Sequence, residues 1–287
     1  MLDLSRILIP VDFSDQCTLA ARYAGMFACR FRSDVTMLHV MRPIDGIVWT
    51  DVPLAYESPF PEYIAGMRER LESFLADDFR GIHVTRVVEE GDPARKIVEF
   101  AHAQGTRLIV MPTHGYGPFR RFLLGSVTAK VLHDADCPVL TGVHMENPPA
   151  SVEGMPQNIL CAVDLGPQME KVLSWAADAA SALNSRLTVV HALPKPDAGE
   201  ARYFDQEWRW ALADEAKQRI KRCIGIETDR DLILENGEVP GVIHRAAESV
   251  KAGLVVIGRH AGSGILGRLR DHGYAIIRES PCPVISV

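Results

Sequence analysis

The sequence predicts an α/β protein built from two tandem doubly wound domains. Each is expected to hold a five-stranded parallel sheet with helices on both faces. Two observations carry this reading. First, the chain repeats itself. ILIPVD (7–12) returns as ILCAVD (159–164), TMLHVM (36–41) as TVVHAL (188–193), RLIVMP (107–112) as GLVVIG (253–258), and CPVLTGV (137–143) as CPVISV (282–287). Self-similarity at a long period marks a duplicated unit. Second, short apolar runs alternate with stretches of helical spacing, the pattern of parallel strands joined by right-handed helical crossovers.

The elements follow in order. ILIPV (7–11) is a continuous apolar run, as a strand buried on both faces requires. Ser14 is placed to cap the helix that follows, whose apolar residues recur at helical spacing through 18–31. VTMLHV (35–40) is the second strand, 62–78 an amphipathic helix, and IHVTRVVE (82–89) an alternating third strand. A helix over 93–103, a strand over 107–112, a helix over 126–134 and a last strand over 138–143 complete the copy. Domain 1 is expected over 1–145 and domain 2 over 156–287, with the Pro- and Gly-containing segment 146–155 as linker. The long connection 42–61, with its four prolines, reads as a lid or partner surface. In the second copy a helix is expected around 203–224, with Trp208 and Trp210 as packing residues.

Composition bounds the function. The 287 residues suffice for two ordinary domains, and 47% apolar with 24% charged residues is normal for a globular protein. No apolar run reaches the roughly 18 residues that span a bilayer, and the start MLDLSRILIPVDFS lacks the parts of a secretory signal. Neither a membrane nor nucleic acid is expected as partner, the latter because a net charge of −6 supplies no basic face. The six cysteines are scattered without a C-x-x-C pair and read as reduced packing thiols of a cytoplasmic protein.

The chemistry concentrates in HGYGPFRRFLLGSVTAK (114–130). In a doubly wound sheet, ligands sit beyond the carboxyl ends of the strands, where Asp12, Val40 and this loop converge. A helix N-terminus offers unpaired N–H groups and partial positive charge, both suited to phosphate. Gly125 permits close approach, Ser126 adds a hydroxyl, Gly115 allows a tight departure from the strand, and Arg120 and Arg121 add charge. On the residues alone, a polyphosphate cradle and an ordinary glycine turn with a serine cap stand level. His114 either donates to a phosphate or faces solvent. Arg120 and Arg121 either reach a phosphate or form a solvated face. Ser126 lacks the His–carboxylate partners of a catalytic nucleophile. His39 and His191, repeated at strand ends, are expected to bond backbone inside their own copies.

At these residues the chain resembles the universal stress protein family, in particular its ATP-binding branch and tandem form. The family's motif is Gly, two residues, Gly, nine residues, Gly and Ser or Thr. Gly115 and Gly125-Ser126 match its last three fixed positions. LLGSVTAKVL, the closing CPVL, PVDFS with Asp12 and the strand end LHV also fit. The resemblance implies an adenine nucleotide α-hydrolase-like fold and bound ATP, or AMP or ADP, with Mg²⁺ or Mn²⁺ carried on the phosphates. It implies that Pro10, Val11 and Val40 line the adenine side and that Asp12 approaches the ribose or the metal. Gly115, Gly125, Ser126 and Val127 would lie along the phosphates. Pro112 replaces the family's first glycine, and a proline has no N–H to offer there. The role implied is stress response or signalling by binding, with a slow ATPase and a nucleotide-free scaffold as alternatives. The last strands of the two copies should pair as an internal pseudo-dimer, and two chains could associate further.

The second copy departs from the motif. It keeps Gly258, but His260 or Ala261 replaces the second glycine. Arg270-Asp271 or Asp271-His272 replaces Gly-Ser, with Asp271 expected at the helix start. A carboxylate there repels phosphate, so this copy is expected to keep the fold and lack the nucleotide site. GSGILG (262–267) matches G-x-G-x-x-G in form but not in context, because no acidic residue follows at the next strand's end. The run HDADC (133–137) suits no metal cage and reads as a structural corner.

Overall fold

A computed structural model describes residues 2–42, 60–114, 124–142, 155–194, 206–224, 231–259 and 268–287. In the first copy the elements are β1 (Arg6–Pro10), α1 (Asp15–Phe31), β2 (Asp34–Met41), α2 (Phe60–Ser73), β3 (Val84–Glu90), α3 (Pro93–Ala103), β4 (Leu108–Val110), α4 (Ser126–Asp134) and β5 (Val139–Thr141). The second copy repeats them as β6 (Asn158–Ala162), α5 (Met169–Leu183), β7 (Arg186–Leu193), α6 (Gln206–Ile224), β8 (Leu232–Asn236), α7 (Val239–Ser249), β9 (Leu254–Ile257), α8 (Arg268–Glu279) and β10 (Val284–Ser286).

One ten-stranded sheet runs through both copies in the order β3-β2-β1-β4-β5-β10-β9-β6-β7-β8. Pairing is parallel within each half. At the centre β5 meets β10 antiparallel, with Thr141 opposite Val284, Leu140 opposite Ile285 and Val139 opposite Ser286. The expected pairing of the last strands is therefore present, and it covers two edges that would otherwise expose unpaired backbone. Strand residues alternate between two cores. Ile7, Ile9, Ile159 and Cys161 face one core with α1 and α5, while Leu8 and Leu160 face the other with α3 and α7. Both cores extend across the two copies.

Several boundaries move for local reasons. The helix expected over 62–78 ends at Ser73, and Leu75 takes a left-handed φ of 52°. The strand expected over 107–112 shortens to Leu108–Val110, just before Pro112, which has no N–H for a ladder. Helix α8 begins at Arg268, so Asp271 lies within its first turn and not at its start; Leu269 and Arg270, good helix formers, extend it upstream. Trp210 is 74% exposed and is not a packing residue, because it lies off the α6 face marked by buried Ala216 and Ile220. All six cysteines are free, and Cys29 and Cys223 are exposed rather than packed. Most of the 42–61 connection and the GSGILG run lie outside the described residues. No helix among the described residues is long and apolar enough to cross a membrane.

Candidate functional site

The strand order reverses direction at β1 and β4, and a cleft of about 310 Å³ opens beyond their carboxyl ends. Nine of its lining residues are among those expected from sequence: Pro10, Val11, Asp12, Val40, Pro112, His114, Gly125, Ser126 and Val127. Gly115, Arg120 and Arg121 lie outside the described residues.

One end of the cleft is shaped by β1, β2 and the turn after β1. His39 donates from Nδ1 to the Val11 carbonyl at 2.7 Å, which fixes its tautomer, since a carbonyl can only accept. His191 repeats this with Val163 at 2.8 Å. Asp12 Oδ1 accepts from the Ser14 backbone N–H at 2.9 Å and its hydroxyl at 2.6 Å. Ser14 Oγ in turn accepts from Cys17 N–H and caps α1. The Asp12 side chain is thereby aimed by two bonds to one oxygen. Burial, and next the Asp12 carboxylate, push the Cys17 thiol up to about 12, so it stays protonated beneath the site.

Phe13 holds a left-handed φ of 62°, a conformation that costs a bulky residue on the order of 1 kcal/mol or more. Its surroundings hold it there. The Arg70 guanidinium stands 4.1 Å over its ring, Phe74 meets it edge-on at 5.5 Å, and His39 packs at 4.8 Å. This bend turns the chain sharply away from β1 and leaves Asp12 at the rim.

The other end is the mouth of α4. Gly125 is the N-cap with φ −62° and no side-chain cap, whereas α1 and α3 are capped by Ser14 and Asp92. The Gly125 N–H donates to Thr113 O at 2.7 Å and is not available to a ligand. Thr128 Oγ1 donates to Pro112 O at 3.0 Å. These two bonds hold Pro112 and Thr113 against the start of α4. The N–H groups of Ser126, Val127 and Thr128 have no acceptor among the described residues, as expected for the first turn of a helix. A Cβ on Gly125 would stand 3.1 Å from Thr113 O, so the glycine serves this close crossing rather than a positive φ. His114 is buried, 8% exposed, with Nδ1 3.0 Å from Thr113 Oγ1; the solvent-facing reading does not hold.

Sequence reasoning missed Arg42, which lines the cleft just past β2, along with Pro93 and Ile97 of α3. Its position immediately after the carboxyl end of a strand was the available signal. The Arg95 N–H bond, and after it the charges of Lys130 and Arg42, hold the Asp92 carboxyl below the usual range.

The corresponding cleft of the second copy is about 90 Å³ and more apolar. Met169 and Val172 line it, and a Cβ on Gly258 would lie 2.9 Å from Val172 Cγ2. At the matching places the first copy has Cys17, Ala20 and Pro112. Among the described residues, no cluster of three His, Cys, Asp or Glu side chains could hold a metal.

Known proteins share this fold. Residues 4–141 and 155–287 each match the profile of the Universal stress protein family. A universal stress protein of Methanocaldococcus jannaschii is 33% identical over 141 residues, covering 47% of this chain and 79% of its own. One from Mycolicibacterium smegmatis is 25% identical over 275 residues, covering 92% of this chain and 90% of its own. Among solved structures, a universal stress protein from Archaeoglobus fulgidus has a TM-score of 0.69 at 22% identity, over 99% of this chain and 96% of that one. A functionally unknown protein from Pseudomonas aeruginosa has a TM-score of 0.67 at 21% identity, over 100% and 93%. With both copies matched and the sheet continuous between them, the chain belongs to the universal stress protein family, in its tandem two-domain form.

Proposed function

We propose that the first copy binds ATP, or AMP or ADP, and that the chain acts in stress response or signalling through nucleotide-dependent changes in conformation or partner. The observation that carries this is the α4 mouth. Three N–H groups, of Ser126, Val127 and Thr128, have no acceptor among the described residues, and their residues line a cleft whose other end is Pro10, Val11 and Val40. An anion suits the first, and a flat apolar base suits the second. Arg42 adds positive charge within the same cleft. The functional units we assign are residues 1–145, which bind, and 156–287, which do not.

A divalent cation fits this arrangement only as a companion of the phosphates. Asp12 lines the cleft with Oδ1 already bonded to Ser14, so it can offer Oδ2 to a Mg²⁺ or Mn²⁺ but cannot form a cage. The ion would neutralise phosphate charge. Among the described residues no His–carboxylate pair is positioned against Ser126, which favours binding over fast hydrolysis. Cytoplasmic location and further homodimer formation accompany the proposal as family expectations.

Isothermal titration of the full-length protein with Mg-ATP tests it. A single nucleotide per chain, with a thermal shift on addition, is the expected result. Uptake of two nucleotides per chain contradicts the silent second copy. No uptake and no shift leave the scaffold reading in its place.

A further inference from the structure

The second copy has lost the nucleotide motif, yet beyond the shared sheet it reaches into the first with side chains of its own. Arg259 follows Gly258 at the end of β9. Its backbone is fixed by the N–H bond to Val287 O at 2.9 Å, and Val287 N–H returns to Ile257 O at 2.9 Å. From there its guanidinium crosses to the first copy. Nη1 donates to Leu132 O at 3.3 Å and Nη2 donates to Cys137 O. Leu132 lies in the last turn of α4, and Cys137 leads from α4 into β5. Tyr274 of α8 adds a bond from its hydroxyl to Ala129 O at 3.2 Å.

We infer that Arg259 is a positioning residue for the nucleotide site: by clamping the carboxyl end of α4 from the second copy, it sets how the helix presents its N–H groups to phosphate. This rests on the nucleotide reading of the first copy. Helix α4 has nine residues, too short to hold its own shape without tertiary support. Its amino end is tied to Pro112 and Thr113 within its own copy. At its carboxyl end, the Leu132 carbonyl is one that a helix leaves unpaired, and a cation there complements the helix dipole. Arg259 is partly buried, and its Nε is fully covered with no partner among the described residues. Such a geometry is held by the surroundings rather than by a surface ion pair.

The contact is one-sided. The counterpart of Arg259 in the first copy is Thr113, whose hydroxyl is bonded to His114 beside it. The copy that lost Gly-Ser therefore supports the helix of the copy that kept it, which gives the second copy a role without a ligand of its own.

The test compares full-length wild type with R259M, R259K and Y274F by titration with Mg-ATP and, separately, with adenosine. R259M is expected to weaken ATP by about tenfold, the size of a helix-terminus charge in a partly buried setting, with adenosine within about twofold of wild type. R259K, which keeps the charge, should fall between the two, and Y274F should weaken ATP by a few-fold only. A general loss of structure would weaken both ligands together, and that result overturns the inference. Wild-type ATP binding that is unchanged in R259M also overturns it, while leaving the nucleotide reading intact. If the wild type takes up no nucleotide, the nucleotide reading fails and the inference with it. Should R259M not fold, R259K and Y274F still decide: ATP and adenosine binding both equal to wild type refutes the clamp.

Discussion

Gly125→Asp separates binding from folding. The backbone at Gly125, φ −62° and ψ 143°, is one that any residue adopts. The new Cβ would lie 3.1 Å from Thr113 O, 3.4 Å from His114 Cα and 3.7 Å from Thr128 Oγ1. The first distance requires a shift of a few tenths of an ångström and costs about 1 kcal/mol as mild overpacking. Against that, aspartate caps a helix better than glycine by a few tenths of a kcal/mol. Net folding stability should therefore change by about 1 kcal/mol or less. Binding should change far more. A carboxylate about 5 Å from one phosphate charge, at an effective dielectric of about 20, repels it by roughly 3 kcal/mol. That corresponds to a loss of more than about a hundredfold in ATP affinity. Gly125→Asn has the same shape and capping ability without the charge, so the Asp-to-Asn ratio isolates repulsion. The assay is calorimetric titration of both variants at two salt concentrations, with urea melts alongside. The ratio should shrink as salt rises. If the two variants bind Mg-ATP within about threefold of each other, the phosphates do not lie at the mouth of α4.

Two further predictions concern the rest of the molecule. Gly258→Ala should destabilise the fold by about 1–3 kcal/mol, because its Cβ would press Val172 Cγ2 at 2.9 Å. Adding Val172→Ala should recover part of that loss, read as a coupling of about 1 kcal/mol in a double-mutant cycle by urea denaturation; strict additivity would contradict the contact. Burial pushes Cys137 and Cys282 up to about 11 and Cys17 up to about 12, and it raises Cys161 further. These thiols stay protonated in the fold while the unfolded chain begins to lose its protons near 9.0. Stability is then full below that pH and should fall above it, by up to about 1.4 kcal/mol per pH unit for each thiol, until the folded values are passed. Urea melts under reducing conditions from pH 8 to 10.5 read this directly, and a flat profile would refute the burial.

Much of the site was legible because it depends on local order along the chain. ILIPVD and its echo ILCAVD place the first strand of each copy, and the carboxyl ends of such strands are where an α/β sheet binds ligands. The helix over 126–134 and its Gly-Ser entry were readable from spacing alone, and Ser14 capped α1 as its position suggested. Phe13 was not legible as a strained residue. Nothing in PVDFS announces a left-handed φ, which depends on Arg70 of α2 and Phe74 just beyond it. Nor was the use of the Gly125 N–H, since its acceptor, Thr113 O, lies twelve positions earlier in the chain.

The sequence by itself determined the duplication, the alternation of strands and helices, the family, and the asymmetry between a Gly-Ser copy and its Asp271-bearing partner. Each of these is written in periodicity or in residues that are neighbours in the chain. The tertiary structure alone decided that the Ser126, Val127 and Thr128 amides have no acceptor among the described residues, that Arg42 joins the cleft, and that Arg259 reaches α4 from the other copy. Those facts depend on which groups meet across the β5–β10 junction and at the strand ends. Across the junction they join residues more than a hundred positions apart, and no local pattern of the chain records them.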